Sequence, residues 1–288
     1  MKAIVTGAAG FAGYHVTTHL LEHGYEVYAV VRPGSSHNDR LNKNNKRLHI
    51  VELDCKDYSQ IAESINEQCD IVFHLAWAGG RDDFYEQYAN IEAAVQVVET
   101  AAKLGCKRLI GIGSQAEYGI VEGLITEDLK PNPINAYGAA KVAAMQLTKR
   151  RCEQLGIEWI WGRIFSLYGK YEPAGRMLPD LIRKLKNGET VCLSDCTQNW
   201  DYLDASDAAE AIIALGETGH AGEIYNIANG DYRPLKEFVE EVRTEINKGN
   251  VVFGDRANPF ISLQPCVEKI YKDTGWKTGR KDLIDGYR

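Results

Sequence analysis

The chain has 288 residues, 44% hydrophobic and 25% charged, with a formal net charge of −7. That length suits one large α/β domain or a domain with a smaller lobe, and the composition is that of an ordinary globular protein. The acidic balance argues against nucleic acid or an anionic membrane as the main partner, and no apolar run approaches the length of a membrane span.

The start, "MKAIVTGAAG", runs straight into a strand, so no signal peptide is expected. Seven cysteines, with Cys192 and Cys196 as a lone C-x-x-x-C, read as reduced thiols of a cytoplasmic protein and not as a metal site.

The first 165 residues alternate two patterns. "KAIVT", "YEVYAVV", "RLHIVE", "DIVFHLA", "KRLIGIG" and "IEWIWGRI" are short apolar runs rich in β-branched residues. "AGYHVTTHLLEHG", "YSQIAESINEQ" and "IEAAVQVVETAAKLG" between them carry helical periodicity. Apolar strands alternating with helices predict a Rossmann-like doubly wound parallel sheet over residues 1–165. Beyond Ser166 the pattern loosens. Helices are expected near 178–187, 206–215 and 235–247, and strands near 190–193 and 223–227. We read 166–288 as mainly a smaller α/β substrate-binding lobe with some segments returning to the sheet. "RPGSSHNDRLNKNNKR" reads as a polar, mobile loop. His15, His19 and His23 form an i, i+4, i+8 stripe that reads as solvated, because Val16, Leu20 and Leu21 mark a neighbouring core face. His74, on an apolar strand, reads as a hydrogen-bonded core histidine.

Four places carry chemistry. Gly7, Gly10 and Gly13 of "VTGAAGFAG" sit where a strand turns into a helix, the arrangement that seats a pyrophosphate on a helix N-terminus. The second strand ends in Val31 and Arg32, with no carboxylate there to hold a ribose hydroxyl. That favours NADP(H) over NAD(H), unless Arg32 is merely a solvated strand end. Asp54 either holds the adenine amino group or caps the helix that follows it. In "INAYGAAKVAAMQ", Tyr137 and Lys141 lie one helical turn apart, where the cation favours the phenolate.

Taken in order, "TGAAGFAG", "FHLAW", "GSQAEYG", "AYGAAK", "GRIFSLYG" and "TQNWDYLDASDAAEAI" resemble the extended short-chain dehydrogenase/reductase family, the NAD-dependent epimerase/dehydratases of nucleotide-sugar metabolism. The resemblance covers nearly the whole chain. It implies Tyr137 as general acid/base, Lys141 lowering its pKa and holding the nicotinamide ribose, and Ser114 bonding the reacting oxygen. It implies further cofactor contacts from Phe11, Ala12, Cys55, Leu75, Ala76, Trp77 and Ile164, and a helix-ordering role for Asn90. Substrate contacts fall on Ser114, Gln115, Ser166, Arg176, Trp200 and Arg256, the two arginines being equally readable as surface residues. A homodimer is also a family expectation.

The departures from the pattern are informative. The family's 4,6-dehydratases follow the catalytic hydroxyl with Asp and Glu, whereas this chain has Gln115 and Ala116, which argues against dehydration. Ser166 and Trp200 replace a usual asparagine and a usual diphosphate-binding arginine. The expected activity is an NADP(H)-dependent reductase of a nucleotide-linked 4-keto sugar. The alternative is an NAD-dependent nucleotide-sugar 4-epimerase, with a non-catalytic sensor or scaffold as a remote third.

Overall fold

The computed structural model describes residues 1–257, 261–279 and 283–287. Its first half runs β1 (Lys2–Thr6), α1 (Phe11–Glu22), β2 (Glu26–Val31), β3 (Leu48–Glu52), α2 (Ile61–Ile65), β4 (Ile71–His74), α3 (Phe84–Lys103), β5 (Arg108–Ser114), α4 (Ala136–Leu155) and β6 (Glu158–Ile164). The remainder is β7 (Ser166–Tyr168), α5 (Met177–Lys186), β8 (Thr190–Cys192), β9 (Asn199–Trp200), β10 (Tyr202–Asp204), α6 (Ala205–Thr218), β11 (Ile224–Ile227), β12 (Arg233–Pro234), α7 (Leu235–Ile246), β13 (Asn250–Val252) and α8 (Glu268–Thr274).

Seven strands form one sheet in the order β11-β6-β5-β4-β1-β2-β3. Every pairing in it is parallel. Both faces are covered, so β4 is buried along its whole length, as continuous apolar strands require. Ala93, Val97 and Ala101 of α3 pack with Ala144 and Met145 of α4 on one face. On the other, Val16 and Leu20 of α1 meet Ala208, Ala209 and Ile212 of α6. The winding reverses at β1, with β2 and β3 on one side and β4 on the other. The C-terminal ends of β1, β4, β5 and β6 therefore open on one edge, at the switch point where such sheets bind ligands. Register puts Thr6 beside His74, and Ser114 beside Ile164.

The chain returns to this unit after β6: β11 extends the sheet beside β6, and α6 packs on α1. The lobe consists of α5, α7 and the ladders β7/β10, β8/β13 and β9/β12. Leu178, Leu181, Ile182 and Leu185 make the i, i+3, i+4, i+7 stripe of α5, which packs with Phe238, Val239 and Val242 of α7. Asp201, fully buried between β9 and β10, holds the loop that follows β11 by accepting the Asn229 and Gly230 amides at 2.9 and 2.7 Å.

Two expectations are corrected. The histidine stripe is solvated only at His23, because the rest of it is covered, His19 by α6. His15 is buried with Nε2 3.0 Å from the Lys170 carbonyl, and His19 sits between Glu210 and Ser206. The loop after β2 is built into the structure: Asn38 is buried and donates to the Arg32 carbonyl at 3.0 Å, and Arg40 reaches the Ala9 carbonyl at 3.2 Å. Among the described residues no helix is long and apolar enough to cross a membrane, and no cluster suits a metal ion.

Candidate active site

The glycine turn sits at the open edge of the sheet. Gly7 has φ +68°, and a Cβ there would lie 2.8 Å from the Ala76 backbone. A Cβ on Gly13 would lie 2.0 Å from the Gly7 carbonyl oxygen, so α1 begins pressed against the turn. Gly10 caps α1 without a side-chain hydrogen bond, and the first turn, opened by Phe11 and Ala12, carries no acidic residue. Unclaimed amides and the positive end of the helix dipole thus face the edge, which suits the diphosphate of a dinucleotide. Beside it, Leu75 and Ala76 are tied to Thr6 through its carbonyl and hydroxyl, each at 3.3 Å.

β5 and α4 bring the three candidate catalytic side chains together. Ser114 ends β5 and caps a 3-10 turn, Gln115–Glu117, with its hydroxyl oxygen accepting the Ala116 amide at 3.2 Å. Asn135 caps α4 by accepting the Gly138 amide at 2.8 Å. A Cβ at Gly138 would stand 2.5 Å from the Ala116 carbonyl, so the glycine lets α4 close on the serine turn. Lys141 is buried; its Nζ donates to the Ile112 carbonyl at 2.6 Å and lies 3.6 Å from the centre of the Trp77 ring. Trp77 meets Tyr137 edge-on at 6.1 Å, and its indole N–H is held by Gln87 at 2.7 Å.

Burial dominates the electrostatics. It pushes the Lys141 amine down to about 7, opposed by the Glu117 carboxylate. It raises the Tyr137 phenol above its ordinary value, against a Ser114 hydrogen bond and the charges of Arg81 and Arg176. The expectation that Lys141 would make Tyr137 more acidic than usual is therefore corrected. The amine turns toward Ile112 and Trp77, 5.9 Å from the centre of the phenol ring, and desolvation of the tyrosine outweighs the favourable charges. His74 is the hydrogen-bonded core residue expected: Nδ1 is 2.7 Å from the Thr6 hydroxyl, and burial with the Lys141 charge pushes it down to about 3.

The other sequence-derived residues spread around this centre. Arg32 is exposed just past β2, with no carboxylate at its position. Burial and then the charges of Arg40 and Arg32 lower the pKa of His37, so it stands as a neutral imidazole between two arginines. Asp54 caps the 3-10 turn Cys55–Gln60, accepting the Lys56 amide at 3.3 Å and the Cys55 thiol at 3.5 Å. That is the capping alternative. Ile164 ends β6 beside Ser114, and Ser166 starts β7 opposite Tyr202. Trp200 lies in the lobe, its indole N–H buried without a partner among the described residues. Arg176 caps α5, 5.8 Å from the Phe11 ring. The structure does not bring Arg256 to this cluster; it follows β13, where its charge acts on Cys192.

Asn90 does not simply order a helix. It clamps the loop after β4, exchanging 2.9 Å hydrogen bonds with the Ala78 amide and carbonyl. Three further residues emerge only in the structure. Arg81 accepts the Tyr137 amide through its carbonyl at 2.9 Å, which sets its charge beside the phenol. Glu172 is hydrogen-bonded by Tyr287, and burial pushes it up to about 7 beside Arg176. Glu117 lies beneath Ser114, and the S-x-x-E of "SQAE" was a legible capping-box signal for it.

Residues 3–228 match the NAD dependent epimerase/dehydratase family. A putative UDP-glucose 4-epimerase of Methanocaldococcus jannaschii is 25% identical over 300 residues, covering 99% of this chain and 95% of that protein. The human dTDP-D-glucose 4,6-dehydratase is 25% identical over 316 residues, covering 100% and 90%. Among solved structures, a UDP-glucuronic acid 4-epimerase from Bacillus cereus in complex with NAD superimposes with a TM-score of 0.86 at 22% identity, covering 100% of this chain and 97% of that one. At that identity the likeness shows the fold.

Proposed function

The chain belongs to the NAD dependent epimerase/dehydratase family, and on that premise we propose that it is a nucleotide-sugar 4-epimerase working with bound NAD. The observation that carries this reading is the convergence of Ser114, Tyr137 and Lys141 with a glutamine and an alanine next in line. The relatives are named as epimerases and dehydratases. Gln115 and Ala116 stand where the family's dehydratases keep an acid and a base, and neither an amide nor a methyl group transfers a proton at neutral pH. Of the two chemistries, epimerisation needs only the groups present.

When bound, the nicotinamide supplies the acceptor and donor of the C4 hydride. Tyr137, entering the cycle as the phenolate, would take the C4 hydroxyl proton as the hydride leaves and return it as the hydride comes back, Ser114 would donate a hydrogen bond to that oxygen, and Lys141 would bind the nicotinamide ribose. Arg81 and Arg176 supply positive charge for the substrate's diphosphate, the role the Trp200 position has lost.

The reverse order of preference, an NADPH-dependent 4-keto-sugar reductase, rests on one observation: Arg32 and Arg40 place positive charge around His37 past the end of β2, where the chain carries an arginine and not the carboxylate that would hold a ribose hydroxyl. Incubation with a panel of nucleotide sugars separates the readings. The epimerase yields a C4 epimer with no added cofactor and no dehydrated product. NADPH consumption that requires a 4-keto sugar would establish the reductase.

A further inference from the structure

β5 carries two glycines whose absent side chains are occupied by something else. A Cβ on Gly111 would stand 2.4 Å from the Trp161 ring, and one on Gly113 would stand 2.1 Å from Glu117 Oε1 and 2.2 Å from Trp161 Nε1. Into this space the chain places a fully buried carboxylate. Glu117 Oε1 accepts the Ser114 amide at 2.9 Å and the Trp161 indole N–H at 3.0 Å. Oε2 accepts Arg163 Nε at 2.7 Å. Arg163 is itself buried, its guanidinium 4.4 Å from the centre of the Tyr118 ring.

A buried ion pair is a poor source of stability, because desolvating two charges offsets their attraction. This pair lies directly under the candidate catalytic serine. We infer that Glu117 is a positioning residue of this active site: pinned by Arg163, its carboxylate fixes the Ser114 turn and sets a buried negative charge opposite the Lys141 ammonium.

Two consequences follow from the geometry. A hydroxyl has one proton and two lone pairs. The turn that Glu117 closes makes the Ala116 amide donate to Ser114 Oγ, which leaves the serine proton for Tyr137 or a substrate oxygen. The Glu117 charge also opposes the loss of the proton from Lys141 and from Tyr137. Few other groups act on the lysine. Ile112 offers a carbonyl, Trp77 a ring face, Tyr137 its phenol ring at 5.9 Å, and His74 is held neutral. The charges of Arg81 and Arg176 act on Tyr137 in the opposite sense to that of Glu117.

The inference rests on the assignment of the triad above, but not on which sugar is turned over, so its first readout uses the cofactor alone. NADH binding is titrated by fluorescence across pH for wild type, Glu117→Gln, the pair Glu117→Gln with Arg163→Met, and Glu117→Asp, each checked by thermal melting. With the charge removed, in Glu117→Gln and in the pair, the alkaline loss of NADH affinity should begin roughly one pH unit lower. Glu117→Asp keeps the charge but withdraws from the Ser114 amide. Its binding profile should stay in place, while kcat on a sugar nucleotide the wild type turns over falls roughly ten- to a hundredfold at similar KM. An unchanged alkaline limb in the charge-removed variants, or wild-type kcat in Glu117→Asp, overturns the inference. So does failure of all three to fold, which would make the pair a folding element.

Discussion

The two ends of the dinucleotide groove are built from opposite materials. Around Tyr137, ionised groups are dry: Lys141 is 3% exposed, Arg163 1% and Glu117 0%. Around Arg32 the charges face solvent, Glu52 and Asp39 among them, and Asp54 caps a turn. Charges in the first region are fixed by specific partners and barely screened, so each substitution there is expensive. Charges in the second act through water and salt, so they tune cofactor choice at little structural cost.

The comparison breaks most visibly at Tyr137. Tyr137→Phe should lower turnover by roughly 10²–10⁴, the range for a positioned acid or base, while NADH affinity stays nearly unchanged. Wild-type turnover in that variant would remove the tyrosine from the chemistry.

Next comes the ion pair. Arg163→Met leaves Glu117 buried without its partner and should destabilise the protein by about 3–5 kcal/mol in urea unfolding. A loss below about 1 kcal/mol would mean that this region is wetter than described.

His74 gives a smaller, pH-dependent effect. Its native value of about 3 lies below the ordinary 6.5, so the folded state stays neutral while the unfolded chain takes up a proton. The stability this contributes is complete above pH 6.5 and is lost as pH falls toward 3. By about pH 4.5 the loss should reach about 3 kcal/mol. His74→Asn should flatten that part of the stability profile relative to wild type; parallel profiles would contradict it.

The smallest effect belongs to the exposed end. Arg32→Ala should reduce NADPH affinity relative to NADH by roughly tenfold and leave NADH affinity and thermal stability unchanged. A change in the melting temperature as large as that of Arg163→Met would erase the distinction between the two ends.

What the sequence disclosed follows the same division. The glycine turn, the Tyr-x-x-x-Lys pair and the helix expected near 178–187 are local patterns, and they lie where the pattern places them. The features that set the site's electrostatics are not local. Glu117 meets Arg163 46 residues away, and Lys141 meets a tryptophan 64 positions earlier in the chain. The histidine stripe misled at His15 and His19 because α1 has a second covered face besides the one on the sheet. Hydrophobic periodicity reports only the apolar face. The loop after β2 reads as polar, and it is; its order comes from Asn38 and Arg40 bonding to backbone carbonyls, which composition does not reveal.

The central claim, that the dry end runs a reversible oxidation at C4 with retained NAD, is tested most directly by isotope. The purified protein, without added cofactor, is given nucleotide sugars deuterated at C4, and the products are followed by NMR. The account predicts a C4 epimer that keeps its deuterium. It is contradicted if no epimer forms and turnover appears only when NADPH is supplied with a 4-keto sugar.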